Sequence, residues 1–237
     1  MAHDTPLLAV LIDADNTSYK HAKAIFDEIA GFGEASVRRI YGDFSSSHMK
    51  GWSAVQAEFG IVPHHQPANT VGKNASDIAL VIDAIDLMHS GRFDGFVLVS
   101  SDSDFTRLAS RIREQGLDVY GIGQQKTPDA FRKACKRFIF VENILPPDPK
   151  SEQKPETAAE KRPVNEARDL IFQAMASIEQ DDDWYSLGQL GQFITAANPD
   201  FDTRTYGKRK LSDLIQSLKM LEVKRGQGNQ MLVRRLD

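Results

Sequence analysis

The sequence predicts an α/β protein: a parallel sheet with helices on both faces, followed by a smaller helical domain that ends in a hairpin. Three observations predict it. Apolar runs alternate with helix-period segments from Leu7 to Val141, the pattern of strand–helix–strand units. Two of those runs, Leu7–Ile12 and Gly95–Ser100, are almost wholly apolar, as strands buried on both faces are. After a break rich in Pro, Lys, Glu and Ser at residues 145–163 the pattern turns helical, until a turn around Gly226–Asn229.

In the first part the candidate strands are Leu7–Ile12, Ser36–Tyr41, Ile61–His65, Gly95–Ser100, Asp118–Gly123 and Arg137–Val141. The candidate helices between them are Tyr19–Ala30, Met49–Phe59, Ala75–Ser90, Asp104–Gln115 and Pro128–Cys135. Gly116 suits the left-handed residue that ends a helix before a strand. The helix from Ala75 carries Ile78, Val81, Ile82 and Ile85, which predict its apolar face. The stretch 145–163 holds almost no large apolar side chain after Leu145 and reads as an exposed linker, extended at its prolines. The expected organisation is a first domain at 1–146, a flexible linker at 147–162 and a second domain at 163–237.

Composition bounds the rest. Of 237 residues 41% are hydrophobic, enough for a real core. A formal net charge of −4 gives no chain-wide basic signature, so charge is read by region. Cys135 is the single cysteine, which excludes an intrachain disulfide and a zinc–cysteine cluster and suits a reducing cytoplasm. No apolar run approaches the ~20 residues of a membrane span. The expectation is a soluble, cytoplasmic protein with no membrane association.

The strand "LLAVLI" stops at Asp13-Ala14-Asp15-Asn16-Thr17, and "GFVLVS" stops before Asp102 and Asp104. In parallel sheets, functional groups gather at the carboxyl ends of strands, where strand order reverses. If these two strands are neighbours there, their aspartates share one crevice. Asp77, in the first turn of the helix from Ala75, is placed to join them. Aspartates at such positions also serve as caps and turn formers. A clustered set, however, repels itself unless a cation neutralises it. Hard oxygen donors without Cys or His favour Mg²⁺ or Mn²⁺, and phosphodiester hydrolysis is the reaction such a site suits. Asp83, Asp86 and Asp94 read as ordinary surface carboxylates. Lys73 and Asn74 precede Asp77 and could approach a phosphate. His64 and His65 close a short strand. Lys126, Arg132, Lys133, Lys136 and Arg137 form a basic stretch that could track a backbone or be a solvated face.

Two resemblances follow. Asp13-Ala14-Asp15-Asn16-Thr17 resembles the first motif of haloacid dehalogenase-like phosphatases, but the glycine usual at Asn16 and a final acidic motif after "DVYGIG" are missing. "VLIDADN", "GKNASDIALVIDAIDL", "FVLVSSDSDFTRLASRIREQGLDVYGIG" and "TPDAFRKACKRFIFVENI", in this order, resemble the NYN domain, a PIN-like nuclease family with a Rossmann-like sheet. That resemblance covers most of residues 7–143. It implies that Asp13, Asn16, Asp77, Asp102 and Asp104 form a catalytic pocket, with Asp13, Asp77, Asp102 and Asp104 on the metal and the Asn16 amide on a metal water or a ligating carboxylate. It further implies Mg²⁺- or Mn²⁺-dependent cleavage of RNA, and allows a homodimer.

From Val164, "EARDLIFQAMASIEQ" places Leu170, Ile171, Ala174, Met175 and Ile178 on one stripe. "YSLGQLGQFITAANPDF" predicts a second helix capped by Ser186. "TYGKRKLSDLIQSLKMLEV" predicts a third, with Leu211, Leu214, Ile215 and Leu218 inward. With the hairpin these describe a winged helix-turn-helix. Arg204, Lys208, Arg209 and Lys210 make its first basic cluster, a local nucleic-acid footprint, and Tyr206 beside them is a candidate for base stacking. "SLGQLGQFITAANPDFDTRTYGKRKLSDLIQSL" resembles the LOTUS or OST-HTH domain, whose members bind RNA, including G-rich and structured forms. The combined expectation is a metal-dependent ribonuclease with a C-terminal RNA-binding module. The alternative is a non-catalytic RNA-binding adaptor, and a haloacid dehalogenase-like phosphatase is the minor alternative.

Overall fold

The computed structural model describes residues 5–45, 49–65, 75–146, 161–180 and 182–236. The chain forms two compact units, Met1–Asp148 and Pro149–Asp237. Lys73, Asn74 and residues 147–160 of the expected linker lie outside the described residues.

The first unit is built on strands β1 (Leu7–Asp13), β2 (Glu34–Gly42), β3 (Val62–His65), β4 (Gly95–Val99), β5 (Asp118–Gly123) and β6 (Arg137–Phe140). All neighbours pair in parallel, in the order β3-β2-β1-β4-β5-β6. The order reverses between β1 and β4, the adjacency that the acidic strand ends require. Between the strands lie α1 (Ala22–Ile29), α2 (Lys50–Phe59), α3 (Ala75–His89), α4 (Thr106–Glu114), α5 (Asp129–Ala134) and α6 (Val141–Ile144).

Side chains alternate across the sheet, and both faces are covered. Ala9, Leu11, Phe96 and Leu98 pack with α3, α4 and α5 through Leu80, Ala84, Leu108, Ile112 and Phe131. Leu8, Val10, Ile12, Val97 and Val99 pack with α1, α2 and α6 through Ile25, Ile29, Trp52 and Val141. Each fully buried Leu, Ile, Val or Phe contributes about 1.5–3 kcal/mol.

Helix α3 differs from its expected orientation. It buries Leu80, Ala84 and Met88, whereas Ile78 and Ile82 are 61% and 56% exposed. Apolar residues occur all round this helix, so periodicity alone does not choose a face. The stripe that meets the sheet is the one on which Asp77 sits, three residues before Leu80, with small Ala84 at its middle.

The second unit contains α7 (Val164–Ser177), β7 (Tyr185–Ser186), α8 (Leu187–Ala197), a 3-10 turn at Thr203–Tyr206, α9 (Leu211–Gln216), β8 (Leu221–Arg225) and β9 (Met231–Arg235). The strands form an antiparallel sheet in the order β7-β9-β8. Its core joins Ala167, Ile171, Met175, Leu190, Ile194, Leu214, Ile215 and Val233. Three details depart from expectation. The third helix starts at Leu211, because Gly207 at φ 71° ends the preceding turn in the left-handed region. Ser186 makes no capping hydrogen bond and accepts one from Gln230 Nε2 at 2.9 Å instead. Tyr185 and Ser186 form a strand that pairs with Val233 and Leu232.

Candidate functional site

Asp13 closes β1 and is 1% exposed. It is held by a dense set of donors. Its Oδ1 accepts the backbone N–H groups of Asp15 at 3.1 Å and Asn16 at 3.2 Å. Its Oδ2 accepts Asn16 Nδ2 at 2.8 Å and Ser100 Oγ at 2.6 Å. Ser100 comes from the end of β4, and its Oγ also accepts the N–H of Asp102 at 3.1 Å. One hydroxyl thus couples the two strand ends. Burial pushes the Asp13 pKa up, and the Ser100 and Asn16 hydrogen bonds oppose that.

Asp102 caps the turn Ser103–Phe105 by accepting the N–H of Asp104 at 2.9 Å. Asp77, at the start of α3, is the group most disturbed by the set. Burial raises its pKa to about 6, helped by the charges of Asp13, Asp102, Asp15 and Asp104. The charges of Asp13, Asp15, Asp102 and Asp104 thus all reach Asp77. Asp15 accepts a hydrogen bond from Ser76 Oγ at 2.9 Å, which ties the loop after β1 to α3. Thr17 Oγ donates to the Val99 carbonyl at 3.4 Å, and the Thr17 carbonyl accepts from Trp52 Nε1 at 3.3 Å. So Thr17 holds the loop after β1 in place.

The donor set suits a hard divalent cation: carboxylate oxygens and one amide, with no thiolate or imidazole among them. Among the described residues, no three side chains of ligating type stand close enough to share an ion as they are placed.

Asp83 is not the plain surface carboxylate expected. Its Oδ2 accepts Tyr41 Oη at 2.7 Å and Arg39 Nη1 at 2.8 Å, and His64 Nδ1 lies 3.3 Å away. Tyr41 pairs with Asp13 on one side and His64 on the other in the sheet register. The network therefore fixes α3, and with it Asp77, against β2 and β3. Asp77 and Asp83 flank the Leu80–Ala84 stripe that meets the sheet, a placement that becomes readable only once the inward face of the helix is known. Asp94 is structural as well, accepting the Leu7 N–H at 2.7 Å, while Asp86 is exposed. His65 accepts the Phe44 N–H at 3.2 Å. The basic stretch near the end of the unit is largely paired. Arg132 and Lys133 meet Asp129, Lys136 meets Asp118 at 2.7 Å, and Arg137 lies over Phe32.

In the second unit the expected RNA-facing set divides. Tyr206 is 6% exposed and packs on Phe201 at a ring separation of 6.0 Å, so its ring is core and not a stacking platform. Arg204 is clamped on Asp202, with Nε–Oδ2 2.9 Å and Nη2–Oδ2 2.6 Å. Asp202 also accepts the Arg204 N–H at 2.8 Å. The "FDTRTYG" run is thus a folding motif: two core aromatics, a capping ion pair and a left-handed glycine. Arg209 and Lys210 are exposed and Lys208 is half-buried.

A parallel Rossmann-like sheet with aspartates converging at its switch point, followed by a three-helix unit with a β-wing, defines an acidic-pocket α/β domain joined to a winged-helix domain. The chain belongs to the NYN domain family, whose model matches residues 7–143. Residues 163–233 match the OST-HTH/LOTUS domain. The chain is also similar to a protein of unknown function from Vibrio parahaemolyticus, known from its crystal structure. The two are 21% identical over 58% of this chain and 94% of that one, with a TM-score of 0.48. No curated protein matches this chain. The two matched domains support a ribonuclease-type or RNA-binding role. No helix among the described residues is long and apolar enough to cross a membrane.

Proposed function

We propose that this chain is a ribonuclease that hydrolyses RNA phosphodiester bonds with Mg²⁺ or Mn²⁺, and that the second unit recruits the RNA. One observation carries the reading. Asp77 is half-buried at the sheet's switch point within reach of the charges of Asp13, Asp102 and Asp104, and burial first, those charges second, raise its pKa to about 6. Uncompensated repulsion of that kind is a cost that a resident cation removes.

Asp13, Asp77, Asp102 and Asp104 would hold the ion. A divalent cation bound there supplies Lewis acidity and neutralises charge at the phosphate. The chain's own groups do the rest. The Ser100 hydroxyl and the Asn16 amide orient the Asp13 carboxylate and oppose the upward push that burial gives its pKa. The Asp83 network sets the height of Asp77. Lys208, Arg209 and Lys210 are the proposed phosphate contacts of the second unit, and Lys73 that of the first.

The test is cleavage of labelled single-stranded and structured RNA with and without Mg²⁺ or Mn²⁺, with Asp13→Asn and Asp102→Asn run beside the wild type. Metal-dependent cleavage lost in both variants is expected. Cleavage in EDTA, or full activity of Asp102→Asn, would refute the mechanism. The match of residues 163–233 to the OST-HTH/LOTUS domain favours one second reading, an RNA-binding adaptor without turnover. RNA affinity that survives EDTA and Asp13→Asn, with no cleavage under either metal, would establish it.

A further inference from the structure

The burial of Tyr206 leaves the RNA-binding reading of the second unit without its aromatic. The structure supplies another. In the wing sheet, Leu221, Val223, Val233 and Tyr185 face the core. Alternation then puts Glu222, Lys224, Leu232, Arg234 and Ser186 on the opposite face. Trp184 lies at the end of that face, one residue before β7, and is half-buried.

Two cations meet its ring. The Lys224 ammonium is 3.6 Å from the ring centroid and the Arg234 guanidinium 4.8 Å. Arg234 is also bound to Glu222, Nε–Oε2 3.0 Å and Nη2–Oε2 2.7 Å. Lys224 makes no ion pair among the described residues, and its ammonium rests on the ring. Gln230 and Ser186 add amide and hydroxyl groups to the same face.

A half-buried indole bordered by cations at the surface suits a single-stranded polyanion with flat bases. The ring stacks a base, and the displaced ammonium moves to the adjoining phosphate. We propose that the outer face of the wing sheet binds single-stranded RNA, with Trp184 stacking a base and Lys224 taking a phosphate. The inference rests on the RNA-recruiting role proposed above for this unit, and it adds a base-stacking surface to the phosphate contacts at Lys208–Lys210. Charge complementarity at Lys224 favours RNA over a protein partner, because a protein would have to offer an acid to Lys224 together with an aromatic groove for the indole.

The chain has two tryptophans, Trp52 and Trp184, and Trp52 is buried in α2. Indole emission is therefore a direct probe. The full chain is titrated in EDTA with fluorescein-labelled oligo-A and oligo-U RNA, reading anisotropy and tryptophan quenching together. Wild type is compared with Trp184→Phe, Trp184→Ala and a Lys208→Ala/Arg209→Ala/Lys210→Ala variant, each checked by far-UV circular dichroism.

The expected result is quenching on binding that vanishes in Trp184→Phe. Affinity should fall about 5- to 150-fold in Trp184→Ala, the range for one stacked base, and less in Trp184→Phe. RNA binding without quenching, with Trp184→Ala within twofold of wild type and the triple variant weakened, would overturn the wing surface while leaving RNA recruitment standing. No RNA binding by the wild type would overturn both. Quenching by an acidic protein in place of RNA would also overturn it.

Discussion

Asp77→Asn should make this protein more stable, not less, when divalent ions are absent. In the folded chain Asp77 titrates near 6, against 3.8 for an ordinary aspartate. The sign follows from linkage. Below about pH 4 the carboxyl is protonated both folded and unfolded and costs nothing. Between about 4 and 6 the unfolded chain ionises first, so stability falls as pH rises. Above about 6 the full cost is present. A shift of that size corresponds to at most about 3 kcal/mol, and partial solvent access reduces it to about 1–2 kcal/mol. Asparagine keeps the shape and removes the charge. Urea unfolding in EDTA checks this, in a Trp184→Phe background so that Trp52 in the first unit is the sole tryptophan. At pH 7.5 the midpoint should rise by about 0.5–1 M with an unchanged slope near about 2 kcal/mol per M. At pH 4 the two proteins should unfold together. An Asp77→Asn variant that is equally destabilised at both pH values would refute the reasoning. It would mean that the carboxylate is a structural cap whose hydrogen bonding matters more than its charge.

Adding the proposed metal should reverse that order. With saturating Mn²⁺ the wild type gains stability as the ion binds the folded state and Asp77→Asn gains little, which a melting curve against metal concentration reads. Because protons compete for the same carboxylates, wild-type Mn²⁺ affinity should weaken as pH falls through about 6, as isothermal titration would show. A flat profile would remove Asp77 from the ligand set. Asp83→Ala leaves Tyr41 Oη and Arg39 without their shared acceptor and should cost about 1–3 kcal/mol in the Trp52-reported transition. Cleavage should fall with it, because α3 carries Asp77. Asp202→Ala removes a cap and the Arg204 clamp and should destabilise the second unit by about 1–3 kcal/mol. The Trp184 emission transition should shift while the Trp52 transition stays in place.

Much of the first unit was legible because its strands are set by local composition. β1 and β4 are apolar runs that end in acids, and such runs have few alternatives to a doubly covered parallel strand. Once β1 and β4 adjoin, the convergence of Asp13, Asp102 and Asp104 follows from chain geometry. What was not legible is which face of α3 turns inward. Its apolar residues surround the helix, and the choice of Leu80, Ala84 and Met88 over Ile78 and Ile82 is made by the sheet's shape and by the Tyr41–Asp83 tether. Both depend on residues far apart in sequence.

The second unit shows the same limit at a residue that matters for function. A tyrosine beside a basic run and a tyrosine in a core look alike in sequence. Tyr206 is core because Asp202 folds the chain back through Arg204, and Gly207 then turns it away. Asp202 and Arg204 thus partner each other within the motif, which leaves them poorly suited to recognise a ligand. Trp184 is the reverse case. It stands after an acidic stretch, Asp181-Asp182-Asp183, and nothing nearby in sequence suggests a cationic setting. Lys224 and Arg234 reach it only because β7 pairs with β9 and β9 with β8. A residue whose neighbours come from distant strands carries its functional signal in the sheet register, and register is the quantity that single-sequence reading specifies least.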